Sequence, residues 1–377
     1  MRIAFIPSTF LPHIGGAEIQ AHNVANKLVE KGNDVEVFVL DKVKIKNAKY
    51  KIIPFKKKLI NLVYLFRYYL NINLNFVLKI YFEKIIKENK IDAWHFQSVN
   101  FKTLIYIEVL RSLNQKIVVT LQGADIQINR EIGYGYRLDN KYDQLIQKVF
   151  QKVDIFHAIS NDIKNELISF GIDKKKIFKI TNFSIQEKFD SIPKNNNKIL
   201  TLLTVGRFAI KKKGFDLIEK VAKELDKIID YKWIIIGRGT KKLLEEDYFL
   251  KNQNKFEILN EINNDDETYF PSSKLIEYYK KSHLYVNLAR VEGSPLVVLD
   301  AISSNLPIIS FNTPGGDELV LDNINGHIID GFDFQLFASK IIEFSKFKID
   351  VKKDEIVALK DKFNLEKNIA IIESHYK

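Results

Sequence analysis

Four short stretches in the second half of the chain carry residue types suited to a phosphate-bearing ligand. Gly206-Arg207 is followed closely by Lys211-Lys212-Lys213-Gly214. Gly237-Arg238-Gly239 comes next, then Glu292-Gly293-Ser294-Pro295-Leu296 running on to Asp300, then Asn312-Thr313-Pro314-Gly315-Gly316-Asp317-Glu318. An Arg and a Lys supply the charge and donors to grip a diphosphate. Glycines let a backbone approach phosphate or base closely. Ser294 suits a helix N-cap and Pro295 the first helical position, and the N–H groups and dipole of a helix starting there attract an anion. Glu292, on the loop before it, can accept sugar hydroxyls, and Asp300, one to two turns in, suits a ribose. Each stretch alone has a plainer explanation: a solvated basic turn, an ordinary glycine turn, a capped core helix with a surface Glu. Their shared position argues against that. Each follows a predicted strand, and strand C-termini are where open α/β sheets take ligands.

The elements that must position these loops read as two β/α domains. Apolar runs predict strands at Arg2–Pro7, Val35–Leu40, Ala93–Phe96, Ile117–Leu121, Ile155–Ile159 and Ile177–Ile180. Helical spacing over Ala17–Lys31 ends at Gly32, a left-handed cap. The pattern lapses near Asn182–Lys198, where Pro193 and Asn195-Asn196-Asn197 mark a linker. It restarts with strands at Leu200–Val205, Trp233–Ile236, Leu284–Asn287 and Pro307–Ser310, and helices at Phe215–Leu225 and Lys274–Lys281. The expected architecture is α/β, two Rossmann-like doubly wound domains facing each other across a cleft. Residues 1–190 form the first domain, 191–360 the second, and 361–377 a C-terminal helix returning to the first.

At 377 residues, with 46% hydrophobic and 28% charged residues, the chain is globular and long enough for two domains. Lys and Arg total 58 against 47 Asp and Glu, a net charge of +11 that suits anionic partners without choosing among them. Cysteine is absent, which excludes disulfides, zinc thiolates and thiol nucleophiles. No signal peptide is visible, and no run reaches the roughly 18 apolar residues of a spanning helix. The expectation is a cytoplasmic protein. His13, His22, His95, His157, His283 and His327 show no metal spacing and read as structural or surface residues, with His95 and Gln97 at a strand end that faces the cleft. Asp265-Asp266 reads as solvated surface.

Taken in order, Gly15-Gly16-Ala17-Glu18, Gly206-Arg207 through Lys213-Gly214-Phe215-Asp216, Gly237-x-Gly239 and Glu292-Gly293-Ser294-Pro295-Leu296 through Asp300 resemble glycosyltransferase family 4. That is the GT-B group of retaining transferases, and the resemblance covers nearly the whole chain. It implies that Arg207 and Lys213, with Lys212 as a substitute, hold a donor diphosphate. It implies that Glu292 contacts the transferred sugar and that Gly15-Gly16 passes close to the diphosphate. Gly206, Gly237, Gly239, Gly293, Ser294, Pro295 and Leu296 complete the donor site. The second acid, which would bind ribose, is Asp300 where the family has Glu. Many relatives place His where Gln122 stands. Gln cannot carry a proton at neutral pH, so an imidazole base from this loop is disfavoured, while Asp125 remains a hydroxyl contact or a helix cap. The implied co-substrate is a UDP- or GDP-linked sugar with no metal, and the acceptor a glycan or lipid-linked hydroxyl of cell-surface polysaccharide or lipopolysaccharide synthesis. A nucleotide-sugar epimerase and a non-catalytic nucleotide-sugar-binding protein are the alternatives. A dehydrogenase lacks its usual glycine pattern after the first strand.

From Lys42 to Lys58 there are lysines at 42, 44, 46, 49, 51, 56, 57 and 58 and no acid, followed by the aromatic, apolar Leu59–Phe82. This pairing suits the anionic inner face of the cytoplasmic membrane, against the alternative of a solvated loop and a core helix. No nucleic-acid motif accompanies the charge.

Overall fold

The computed structural model describes residues 1–193, 199–262, 268–347 and 353–377. The Asn195–Asn197 run and the Asp265-Asp266 pair lie outside these. The chain divides into two compact units. One comprises Met1–Thr181, Thr268, Tyr269 and Glu366–Lys377, and the other the described residues of Asn182–Asp265 and Phe270–Leu365.

The first unit holds β1 (Arg2–Pro7), α1 (Gly16–Glu30), β2 (Asp34–Val39), β3 (Lys51–Pro54), α2 (Lys57–Tyr69), α3 (Asn75–Asn89), β4 (Ala93–Gln97), α4 (Phe101–Ser112), β5 (Ile117–Leu121), α5 (Asn140–Phe150), β6 (Ile155–Ala158), α6 (Asn161–Ser169) and β7 (Ile177–Lys179). The strands are parallel in the order β3-β2-β1-β4-β5-β6-β7. Strands covered on both faces read as continuous apolar runs; Ile3–Ile6 and Ile117–Val119 are buried without alternation. α1 stops where Gly32 takes φ +87° and Asn33 N–H reaches back to the Leu28 carbonyl, a Schellman closure.

The second unit holds α7 (Gln186–Asp190), β8 (Leu200–Val205), α8 (Ile210–Lys213), α9 (Phe215–Leu225), β9 (Tyr231–Ile236), α10 (Asp247–Lys251), β10 (Phe256–Leu259), α11 (Ser273–Lys281), β11 (Leu284–Asn287), α12 (Leu296–Ser303), β12 (Ile308–Phe311), β13 (Gly326–Ile329), α13 (Phe334–Lys346) and α14 (Lys353–Lys362), before α15 (Leu365–Ser374). Its sheet is parallel in the order β10-β9-β8-β11-β12-β13. Both units are thus α/β Rossmann-like folds, as expected. In each, the sheet reverses direction beside its first strand, between β1 and β4 and between β8 and β11. Such switch points open a crevice at the strand C-termini.

Three strands escaped the sequence pattern. β3 lies inside the lysine run, and β10 and β13 are short edge strands, β10 with alternate residues toward solvent and β13 with its two middle residues half-buried. The division between units falls at Thr181 rather than near 190. Asn182, Ser184 and Gln186, expected in a linker, hydrogen-bond to Ser294, Asp300 and Ser303 of the second unit.

Candidate functional site

In the second unit the loops after β8 and β11 meet at the switch point. Lys213, the last residue of α8, runs its stem along Gly206, whose position a Cβ would bring to 3.9 Å from Lys213 Cδ. Its Nζ ends 2.5 Å from Glu292 Oε1, and Glu292 is buried. Lys213 therefore neutralises a buried carboxylate in addition to any ligand it holds. Lys212 is largely withdrawn from solvent. Burial, then the Lys213 charge, pulls its ammonium down to about 8, Glu292 opposes this, and Arg207 lowers it further. Those four groups form one charge cluster. Arg207 is exposed and makes no side-chain hydrogen bond or ion pair among the described residues, so it is the cation of the cluster most open to an incoming anion.

The basic turn is held by a residue that sequence inspection missed. Arg290 grips Asp216 through two nitrogens at 2.7 and 3.0 Å, and also donates to the Lys211 carbonyl at 2.8 Å. Its own N–H reaches the Lys212 carbonyl at 2.9 Å. Lys211 Nζ also pairs with Asp216, at 2.9 Å. This fork pins α8 and the start of α9 to the loop after β11. Its sequence signal was faint: an Arg before Glu292 and an Asp at the start of a helix.

The glycines of this edge are required by loop-on-loop contact. A Cβ on Gly237 would sit 1.9 Å from the Gly206 carbonyl oxygen, and one on Gly315, at φ +77°, would sit 1.8 Å from that of Gly293. The loops after β9, β8, β11 and β12 are thus drawn into one rim, with Gly239 beginning the turn that follows β9. Asn312–Glu318 is a series of turns, not a helix.

Two expectations for α12 are corrected. The helix begins at Leu296, Pro295 is its N-cap in extended conformation rather than its first residue, and Ser294 does not cap it. Among the described residues Ser294 Oγ is buried without a hydrogen-bond partner, as is Thr313 Oγ1. Proline has no N–H and Ser294 lies one residue too early to reach the helix amides, so its hydroxyl is left over for another acceptor or donor. Asp300 is buried, and Ser184 Oγ donates to its Oδ1 at 3.2 Å. Burial raises its carboxyl to about 7, against the Ser184 hydrogen bond and the Lys188 charge.

In the first unit Gly15 is the N-cap of α1 in extended conformation and Gly16 its first residue, with no side-chain cap. Asp125 is fully buried and accepts from the N–H groups of Gln122 and Gly123 at 2.9–3.1 Å. Burial raises its carboxyl, and these hydrogen bonds oppose the rise. It shapes the loop after β5 instead of facing a sugar, because its oxygens are taken by that loop. Gln122 Nε2 is buried and, among the described residues, without a partner. His95, expected in the cleft, is fully buried; its Nδ1 meets Tyr376 Oη at 2.5 Å and its Nε2 meets Thr120 Oγ1 at 2.7 Å. Gln97 is buried too, since both faces of this parallel sheet are covered and side chains of its central strands point into those covered faces.

Two parallel-sheet α/β units of this kind, each with its own switch point, make the GT-B fold. Residues 14–183 match the family model described as Glycosyltransferase Family 4, and residues 184–357 match the model described as Glycosyl transferases group 1. The chain belongs to this glycosyltransferase family. An uncharacterized glycosyltransferase of Haemophilus influenzae is 35% identical over 161 residues, 41% of this chain and 42% of that protein. The amylovoran biosynthesis glycosyltransferase AmsD of Erwinia amylovora is 28% identical over 188 residues, 47% of this chain and 48% of that one. The chain thus spans under half the length of these two relatives. The crystal structure of Anabaena Alr3699/HepE in complex with UDP-glucose superposes with a TM-score of 0.73 at 14% identity, covering 99% of both chains.

Proposed function

We propose that this chain is a retaining glycosyltransferase moving a hexose from a UDP- or GDP-linked sugar to a hydroxyl of a glycan or lipid-linked acceptor. Its setting is cell-surface polysaccharide or lipopolysaccharide synthesis in the cytoplasm, at the inner face of the membrane when the acceptor is carried on a lipid. The observation that carries this is the charge cluster at the β8/β11 switch point: partner-free Arg207 beside Lys212, with Lys213 paired to Glu292. Arg207 and the two lysines receive the diphosphate. Glu292, fixed by Lys213, presents its other oxygen to the sugar hydroxyls. The unpaired hydroxyls of Ser294 and Thr313 and the N–H groups at the start of α12 line the same rim, and the free oxygen of Asp300 takes a ribose hydroxyl. AmsD, by its name, serves polysaccharide synthesis, and HepE binds UDP-glucose, which supports the same reading.

The chemistry asks for charge stabilisation. The bond from the anomeric carbon to the diphosphate oxygen breaks, the bond to the acceptor oxygen forms on the same face, and the acceptor proton passes to the departing diphosphate. Negative charge grows on that leaving group, where preorganised cations and N–H groups act most strongly. No side-chain base or metal is assigned a role.

Arg207→Ala is the cleanest test. Exposed and unpaired, Arg207 can be removed without loss of fold, and losing one such donor costs about 10²–10³ in rate. Nucleotide release from a panel of UDP- and GDP-sugars with a glycan acceptor should fall by that factor while the melting temperature holds, and EDTA should leave the wild-type rate unchanged. A fully active Arg207→Ala variant would refute the site, and loss of activity with EDTA would refute the metal-free scheme. Conversion of the donor sugar without acceptor would favour the epimerase.

A further inference from the structure

The lysine run and the aromatic stretch of the first unit turn out to differ in availability. Lys49, Lys51 and Lys57 are paired with Glu30, Asp34 and Asp41, and Lys56 lies over the Tyr81 ring. The free cations are fewer than the count suggests. The apolar stretch is more exposed than a core helix would be. α2 and α3 form a helical hairpin whose inner side is buried through Ile60 and Val63 on α2 and Leu78, Phe82 and Ile85 on α3. Its outer tip carries Tyr69, Leu70, Ile72, Phe76 and Ile80, between 46% and 66% exposed. Isolated exposed apolar residues are ordinary on a protein surface. Five within twelve consecutive positions, at a turn whose residues 69–73 are all exposed, form a patch of the kind that marks an interaction site.

The hairpin is tethered from inside. Glu108 of α4, itself buried, accepts from Asn75 Nδ2 at 2.9 Å, pairs with Lys148 at 3.0 Å and lies 3.7 Å from Arg67. Lys141 donates to the Tyr68 carbonyl at 2.6 Å, closing the end of α2. These ties fix the inner side of the hairpin, and the apolar tip faces outward. The acids of α3 begin at Glu83, behind the tip. No Asp or Glu occurs from Lys42 to Phe82. Lys58 and Lys79, one on each helix, are exposed and make no ion pair among the described residues.

We infer that the α2–α3 hairpin is a docking element for an anionic bilayer, its tip from Tyr69 to Phe76 entering the headgroup layer while Lys79, one turn past Phe76 on α3, meets the lipid phosphates. Aromatic and aliphatic side chains at a tip with basic residues behind them are the composition of interfacial anchors. The cationic flank selects an anionic surface over a protein partner with an apolar groove. The inference is independent of the transfer reaction, because docking requires neither donor nor acceptor.

The full chain, without nucleotide sugar, should float with vesicles of phosphatidylcholine and phosphatidylglycerol at low salt and stay behind with phosphatidylcholine alone. A Leu70→Ser/Ile72→Ser/Phe76→Ser variant should lose binding well beyond tenfold, since each inserted methylene contributes about fourfold. Lys79→Gln should weaken it by about fivefold, while Lys58→Gln, at the far end of α2 from the tip, should leave it unchanged. Exposed positions leave the fold intact, which unchanged melting curves verify. Absence of wild-type flotation overturns the inference, as does equal flotation of the serine variant. A sedimentation shift from dimer to monomer in that variant, with vesicle binding unchanged, would assign the patch to a second copy of the chain. Inactivity on every nucleotide sugar with flotation intact would leave docking standing and remove the transferase assignment.

Discussion

Among single residues, Asp300 shows how burial rewrites a role that charge alone suggests. Its carboxyl, at about 7, lies far above the ordinary value of 3.8 because desolvation outweighs the Ser184 hydrogen bond. Between the unfolded value and pH 7 the folded state holds a proton that the unfolded chain releases. Stability therefore falls as pH rises across that window and is lowest above it, by roughly 4 kcal/mol at most. Asparagine mimics the protonated acid and still accepts from Ser184. Asp300→Asn should melt above the wild type at pH 8, with the gap closing toward pH 5, as followed by scanning fluorimetry. Equal gaps at both pH values would show that the carboxyl titrates normally. Lys213 raises the opposite problem. Removing it strands the buried Glu292 carboxylate, and breaking one side of a buried pair is strongly destabilising. A Lys213→Ala loss of activity would thus mix chemistry with unfolding, which is why Arg207 is the better probe.

At the level of elements, the rim depends on backbone contacts that no side chain announces. Gly315→Ala combines a Cβ held 1.8 Å from the Gly293 oxygen with a left-handed φ of +77°, and overpacking together with backbone strain costs roughly 3 kcal/mol. Gly331→Ala is the control. Its φ is +72° but nothing lies within 4 Å of its Cβ, so it carries about 1 kcal/mol of backbone strain. Denaturant titration should place Gly315→Ala clearly below Gly331→Ala, with donor binding lost in the former alone; equal losses would show that the Gly293 loop moves aside. The same contrast explains what could be read from sequence. Strands with continuous apolar runs, such as Arg2–Pro7 and Leu200–Val205, were legible to the residue, and so were the loops that follow them, because burial on both faces leaves a plain signature. Lys51–Pro54, an edge strand among lysines, carried none. The Ser184–Asp300 and Arg290–Asp216 contacts join residues 116 and 74 positions apart, and pairings at such range have no local pattern. Ser294 misled for a related reason: cap residues are recognised by type, but whether the serine or the proline takes the cap depends on where the loop after β11 ends.

At the scale of the molecule, the chain finishes on the domain where it began. Glu366–Lys377 belongs to the first unit, and Asn33 and Lys27 bind its Glu373 and Glu366. Its end is fixed by a buried polar chain. Tyr376 meets His95, His95 meets Thr120, Thr120 meets His157 at 3.0 Å, and His157 Nε2 meets His375 Nδ1 at 3.0 Å. Burial pushes His95 down to about 3 and His157 well below its ordinary value, with neighbouring histidine charges adding to both; His375 is lowered by burial and by Lys116. These rings stay neutral in the folded state. The unfolded chain takes up protons below about pH 6.5, so stability present at neutral pH is lost as pH falls through that point toward the folded values. In an Asp300→Asn background, which removes the opposing rise from that carboxyl, the melting temperature should drop between pH 7.5 and pH 5, and adding His157→Asn, which removes one of the two fully buried rings, should flatten that slope even though it lowers stability at pH 7.5. Part of the slope persists in the variant through His22, also lowered by burial. An Asp300→Asn melting temperature that does not change across this range would mean that the relay opens to water and protonates without cost, and the C-terminal segment would then be held by its ion pairs instead of by the histidines.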